Sequence, residues 1–423
     1  MVERAPFLGT AYSAYLHRER PTEDEELTRV GPGTPCGEYL RRFWQPIILS
    51  SELTDLPRRI RILGEDLVVF RDKRGAIGLL ELYCPHRGTS LEFGLIAEQG
   101  IRCCYHGWLF DVDGTILETP GEPADSTLKD RLFHGAYPVH ENEGLVFAYM
   151  GPPEKRPAFP LLDTFDLPGY KLIPRTPTVW ECNWLQVKEN SMDPAHLAFL
   201  HTLPGSEGFT TDLKELGEWD WMETPIGMVY IDTRREGDRV WVRVADFLLP
   251  NIHQFPPNAD PMAQRNSINR PLATTWAVPL DDTHTMQIGY YHAPGGRELR
   301  RGAGFGQDAS RSYPERQRVP GDYDAQVSIH GGIARHGLEH LAATDRGVTM
   351  MRNMIRRGIR AVGNGEDLDY RILRNGPAIP TYCHDRVISG IAPAPTPQGD
   401  RRLLRELARS RVEEAVRIGL VAP

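Results

Sequence analysis

The sequence predicts an α+β protein of two unequal parts: a β-rich domain over residues 41–155 and a larger domain over 156–423, where helices flank an antiparallel sheet. Three observations predict it. Short apolar runs separated by turn residues fill the stretch from about Arg59 to about Tyr149. A Pro- and Gly-rich break follows, from Gly151-Pro152-Pro153 through Pro160. Beyond the break, strand-like runs give way to two amphipathic helical stretches near the end of the chain. At 423 residues the chain exceeds one ordinary core, which agrees with two domains.

The first 35 residues of an N-terminal segment, 1–40, mix charges with Pro and Gly, and the aromatic and apolar run YLRRFWQPII, Tyr39 to Ile48, begins at its end. This N-terminal segment is expected to pack on the larger domain. In the first domain the runs RIRIL, GEDLVVFRD and AIGLLEL read as antiparallel strands, with a turn at Lys73-Arg74-Gly75. Asp113-Gly114, between LFDV and TILE, predicts a two-residue hairpin loop. In the second domain, Thr178 to Trp184, Met228 to Thr233, Val240 to Leu249 and Thr285 to Tyr291 are predicted strands of one sheet. Helices are predicted over Ala342 to Val362 and Arg401 to Leu420. In the first of these, Val348, Met351, Ile355 and Ile359 recur at helical spacing and arginines occupy the other faces.

A formal charge of -8 with 25% charged residues excludes a nucleic-acid partner, which needs a concentrated basic surface. No apolar stretch is long enough to span a membrane, and MVERAPFLGT lacks the pattern of a secretory signal, so the expectation is a cytoplasmic protein. In such a reducing compartment the six cysteines point to metal before disulfide.

Two of them sit in a spaced pair of motifs. Cys84-Pro85-His86 is followed, after sixteen residues, by Cys103-Cys104-Tyr105-His106. Two Cys/His pairs on neighbouring hairpin loops bring four ligands together: Cys84, His86, Cys103 and His106. Spacing alone admits a structural zinc as well as a 2Fe-2S cluster with two thiolates on one iron and two imidazoles on the other. The flanks discriminate. Arg87-Gly88 and Gly107-Trp108 make the loops resemble the CPHRG and CCYHGW loops of the Rieske domain. By that pattern Cys104 is not a ligand, while Cys36, Cys182 and Cys383 are expected to be buried apolar residues.

The second motif runs from Glu189-Asn190 through Asp193-Pro194-Ala195-His196 to His201. Two histidines and one carboxylate on one side of Fe(II) leave positions open for dioxygen, the ligand set of non-haem iron oxygenases. His196 and His201 are the candidate imidazoles. Asp193 can cap a helix that begins at Pro194. Five residues place the two histidines about 140° apart on an ideal helix, so the helix is expected to distort, for example through a π-bulge.

The segment resembles that of the aromatic-ring-hydroxylating Rieske oxygenases, in which Glu-Asn precedes Asp-x-x-His-x-x-x-x-His. Phe43-Trp44-Gln45-Pro46, Cys103 to Trp108 with Phe110 to Gly114, and Glu339-His340-Leu341 followed by Thr344-Asp345 resemble the phthalate-dioxygenase-like branch, which includes aromatic O-demethylases. The resemblance implies a helix-grip-like catalytic domain with a mononuclear Fe(II) beside the Rieske domain. It implies a third iron ligand at Asp322, which Gln326 follows four residues later, with Asp324 the alternative. It also implies a homotrimer or hexamer in which His106 of one subunit bonds to Asp193 of the next, and Asp193 to His196, with Asn190 near the iron. Electrons would come from a separate reductase or ferredoxin. The substrates implied are dioxygen and an aromatic acid, with O-demethylation of a methoxylated, lignin-derived acid favoured over ring cis-dihydroxylation. Arg265 and Arg270 are candidates to hold the substrate carboxylate. A Rieske electron carrier without oxygen chemistry is the reading from another class.

Overall fold

The computed structural model describes residues 11, 21–202, 216–257, 268–295, 310–374, 376 and 378–419. In the first part of the chain, Arg58–Ile62, Glu65–Arg71 and Ile77–Glu81 pair as a three-stranded antiparallel sheet. Leu67 and Val69 enter the largest core while Val68 and Phe70 enter a second, smaller one. Alternating side chains thus make this sheet a wall between two cores, which is why LVVF reads as a continuous apolar run. The smaller core joins Leu80, Leu91, Ile101 and Phe110 to Cys84, Cys103 and Trp108. A four-stranded sheet, Leu95–Ile96, Ile101–Arg102, Leu109–Phe110 and Ile116–Glu118, carries the second cysteine loop. Its last hairpin differs from the predicted two-residue loop. Asp111 N–H bonds to the Thr115 carbonyl at 2.8 Å, enclosing three residues, and Gly114 takes φ +86°, which ends a turn plus bulge.

A ten-stranded antiparallel sheet organises the second part. Its longest ladder pairs Gly227–Glu236 with Arg239–Leu248, and His284–Pro294 pairs with Ala273–Asp281. The predicted strand from Thr178 ends at Trp180, because the Asn183 side chain accepts from Leu185 N–H at 3.1 Å and starts the helix Trp184–Asn190. Asn183 also donates to the Thr28 carbonyl at 2.8 Å, and Trp184 Nε1 to the Leu27 carbonyl at 3.1 Å. These bonds tie residues 27–28 to the helix that leads into the histidine segment.

The two late helices run Arg346–Gly363 and Pro397–Ile418. Thr396 caps the second, with Pro397 in its first turn, so it starts earlier than apolar periodicity indicates. In the first, Val348, Met351, Ile355 and Ile359 are buried as expected, but so is Arg352. The other arginines of this face reach the N-terminal segment: Arg356 pairs with Asp24 and Arg360 with Glu26. Gly358 lies against the Tyr39 ring, where a Cβ would stand 2.4 Å from a ring carbon. Among the described residues no helix is long and apolar enough to cross a membrane.

Candidate functional site

The two cysteine loops close in the same way. Cys84 N–H bonds to the Thr89 carbonyl and Gly88 N–H to the Cys84 carbonyl, both at 2.9 Å; Cys103 N–H bonds to the Trp108 carbonyl at 2.8 Å and Gly107 N–H to the Cys103 carbonyl at 3.1 Å. Gly88 and Gly107 take φ +75° and +73°, a conformation that side chains disfavour, so both motifs need glycine four residues after cysteine. Cys84 and Cys103 are each 3% exposed, whereas His86 is exposed and His106 half-buried. The imidazole centroids lie 4.4 Å apart, and His86 stacks on Trp108 at 4.9 Å. Burial, with the Cys103 thiol alongside, pushes the Cys84 thiol up to about 11; ligation by a positive metal centre would reverse that. Desolvation and the neighbouring His86 lower the pKa of His106, favouring the neutral imidazole that binds metal.

No three donors of this quartet lie within 4.8 Å of one another; among the described residues only His196, His201 and Asp322 do so. A single tetrahedral zinc needs such convergence, whereas a cluster spreads its ligands over two irons. Cys104 is exposed, and Cys36, Cys182 and Cys383 are buried and free.

The histidine segment forms two short turns. Ala195–Phe199 is α-helical, and Leu200–Thr202 tightens to a 3₁₀ turn. The expected π-bulge is therefore absent: the helix ends before His201, and a change of helix type replaces an inserted residue. The ring centroids of His196 and His201 stand 5.1 Å apart. Asp322, the first residue of the helix Asp322–Val327, places Oδ1 3.2 Å from His201 Nε2 and 3.7 Å from His196 Nε2. Burial works to raise its carboxyl, but His201, His196 and Asn190 outweigh it and hold it below the usual carboxylate range. Asn190 Nδ2 reaches Asp322 Oδ1 at 3.2 Å and His196 Nε2 at 3.4 Å. The alternative, Asp324, is turned elsewhere: Arg311 and Arg316 take its carboxylate oxygens and Gly321 N–H donates to it at 3.1 Å.

Asp193 departs from the expected link. Its Oδ1 accepts Ala195 N–H at 2.8 Å, while Oδ2 stays 3.7 Å from His196 Nδ1. The ring nitrogen bonds instead to the Asp193 carbonyl oxygen. Within one chain the carboxylate thus caps the helix and the backbone orients the imidazole.

Beside the triad lies a cavity of about 180 Å³. Trp180, Val187, Leu197 and Phe255 give it apolar walls, and Tyr230, Thr275, Gln287 and Gln326 line it with Arg175, Lys188, Arg243 and His253. Among the described residues that line it, Asp322 is the one carboxylate. Arg270 is not at this wall, since it pairs with Asp163 at 2.9 Å and reaches Thr381; Arg265 lies outside the described residues. Lys188 is 3% exposed, and burial pushes its pKa down to about 7. Sequence patterns treat such basic residues as surface, and none of the four stands in a recognisable motif. Arg352 was equally concealed: it links Glu189 of the histidine segment to Glu339 of the Glu-His-Leu run, joining motifs far apart in sequence.

Residues 43–134 match the Rieske [2Fe-2S] domain family. The chain is 44% identical to the tert-butanol monooxygenase / tert-amyl alcohol desaturase oxygenase subunit of Aquincola tertiaricarbonis, over 95% of this chain and 90% of that protein. It is 40% identical to the phenoxybenzoate dioxygenase alpha subunit of Ectopseudomonas oleovorans, covering 87% and 92%, and 34% identical to the 5,5'-dehydrodivanillate O-demethylase oxygenase subunit of a Sphingobium species, covering 87% and 88%. The crystal structure of dicamba monooxygenase shares the fold, with TM-score 0.60 at 19% identity over 77% of this chain and 99% of that one. A match of this extent shows that the chain belongs to the Rieske non-haem iron oxygenases, as an oxygenase component with a 2Fe-2S cluster and a mononuclear iron.

Proposed function

We propose that this chain oxygenates an aromatic acid, with O-demethylation of a methoxylated, lignin-derived acid as its reaction. The observation that carries this reading is a cluster of two histidines and a carboxylate opening on a cavity with basic and apolar walls and, among the described residues, no carboxylate beyond Asp322. Cys84, His86, Cys103 and His106 hold the cluster in this reading, and His196, His201 and Asp322 hold the iron. The bound groups supply one-electron relay and reductive activation of dioxygen. The protein does the positioning. The Asp193 carbonyl accepts the Nδ1–H of His196, so Nε2 is the nitrogen turned towards Asp322 and Asn190. Asn190 steadies Asp322 Oδ1, and the apolar walls clasp the ring and exclude water.

Which substrate carbon faces the iron decides between a methoxy carbon, whose hydroxylation releases formaldehyde and a phenol, and a ring edge, which yields a cis-diol. The O-demethylase among the relatives supports the first outcome, and the phenoxybenzoate dioxygenase makes the second the alternative. Turnover of methoxylated and unmethoxylated aromatic acids with NADH and a surrogate reductase separates them. Formaldehyde release supports the reading, whereas oxidation of neutral tertiary alcohols alone overturns it. We also propose a cytoplasmic homotrimer or hexamer, with His106 of one subunit meeting Asp193 of the next; the Asp193 side chain is 29% exposed and available for that contact.

A further inference from the structure

The cavity wall carries a buried lysine that has neither a counter-ion nor a hydrogen-bond acceptor among the described residues. Lys188 lies on the helix Trp184–Asn190, 3% exposed, and its ammonium has no hydrogen-bond or ion-pair partner among the described residues. Lys188 is the charged group acting most strongly on the ring of His253, which lies on the strand Ile252–Phe255 and lines the same cavity. Nε2 of that ring is itself buried and unpartnered. The other cations of the cavity are engaged. Arg175 donates to Thr275 Oγ1 at 2.6 Å and stacks over Tyr291, and Arg243 donates to the carbonyls of Pro256 and Pro257.

Lys188 and His253 thus line one cavity with an ammonium and a ring nitrogen that both lack a hydrogen-bonding anion among the described residues, an arrangement that an anion entering the cavity would satisfy. A carboxylate does so: one oxygen takes the charge-assisted bond from Nζ and the other a bond from the ring N–H. We propose that Lys188 and His253 form the anion subsite that receives the carboxylate of the substrate and selects aromatic acids over neutral molecules of the same shape. This rests on the aromatic-acid reading above and names the residues that enforce it. The ammonium, held on the same helix as Asn190, fixes the distance from the acid group to the metal triad. The far end of the ring is thereby presented to the iron.

The test uses the enzyme loaded with iron and cluster, kept anaerobic, and calorimetric titration with 3-methoxybenzoate and the isosteric, uncharged 3-methoxybenzamide. A charge-assisted bond sets the expected scale, so wild type should bind the acid roughly 10- to 100-fold more tightly than the amide. Lys188→Met should abolish most of that preference by weakening the acid alone, with amide affinity within about twofold of wild type as evidence of an intact cavity. Lys188→Gln provides a polar variant of similar reach and should behave alike. Retention of the acid preference by both variants, while wild type still oxidises an aromatic acid, overturns the subsite and leaves the activity reading standing. Equal or absent binding of both probes by wild type overturns the two together.

Discussion

Replacing Lys188 by methionine should stabilise the metal-free chain, most strongly in acid, although the site is a core position. The ammonium falls from an ordinary value of 10.5 to about 7 because burial removes its water and nothing replaces it. Each unit corresponds to about 1.4 kcal/mol, so below pH 7 the charged form costs at most about 5 kcal/mol. Relaxation and water entry lower this to about 2–5 kcal/mol. The unfolded lysine keeps its proton up to about pH 10.5, whereas the folded one releases it near 7. Between these values the unfolded chain binds more protons, wild-type stability rises with pH, and the advantage of the variant shrinks. It should be full at pH 6, fall to about 2 kcal/mol or less by pH 9, and vanish above the unfolded value. Burial, and after it the Lys188 charge, hold His253 below its ordinary value, so removing that charge also relieves the imidazole and acts in the same direction at the acid end of this window. Urea unfolding followed by tryptophan fluorescence at pH 6 and pH 9 reads the difference, with Trp184 on the same helix as reporter. A variant less stable than wild type at pH 6, or an advantage unchanged at pH 9, would refute the reasoning.

Asp322→Ala should lose the mononuclear iron and keep the cluster, measured as metal content beside the visible spectrum. Asp324→Ala should keep both and lose about 1–2 kcal/mol, because it strands Arg311 and Arg316, which remain partly solvated; iron loss from this variant instead would reverse the assignment. Arg352→Met leaves the Glu189 and Glu339 carboxylates facing each other without a cation, so a loss of about 3–5 kcal/mol in chemical denaturation is expected, with reduced iron retention. Asp193→Ala removes the cap on Ala195 N–H, at about 1 kcal/mol. If Asp193 also bridges subunits, reoxidation of the reduced cluster by dioxygen and substrate should slow at least tenfold with iron content unchanged; an unaltered rate would confine it to capping.

Local motifs were the most legible part of this protein. Cys84-Pro-His and Cys103-Cys-Tyr-His each complete a loop within five residues, so the backbone that aims the ligands is written beside them. His196 and His201 are equally local. The strand runs were visible because period-two apolarity acts over short distances. Less was visible where burial contradicts polarity. Arg352 on an amphipathic helix and Lys188 before Glu189 look like solvated residues until their surroundings are known.

The sequence by itself determined which cysteines and histidines each motif carries and their spacing within each loop, since both depend on neighbours along the chain. The tertiary structure alone decided that Asp322 and not Asp324 meets the histidines, that Arg270 serves Asp163 and not the cavity, and that Lys188 stands at its wall. Those outcomes depend on which side chains from distant segments compete for the same partner, and that competition is resolved only when the segments pack.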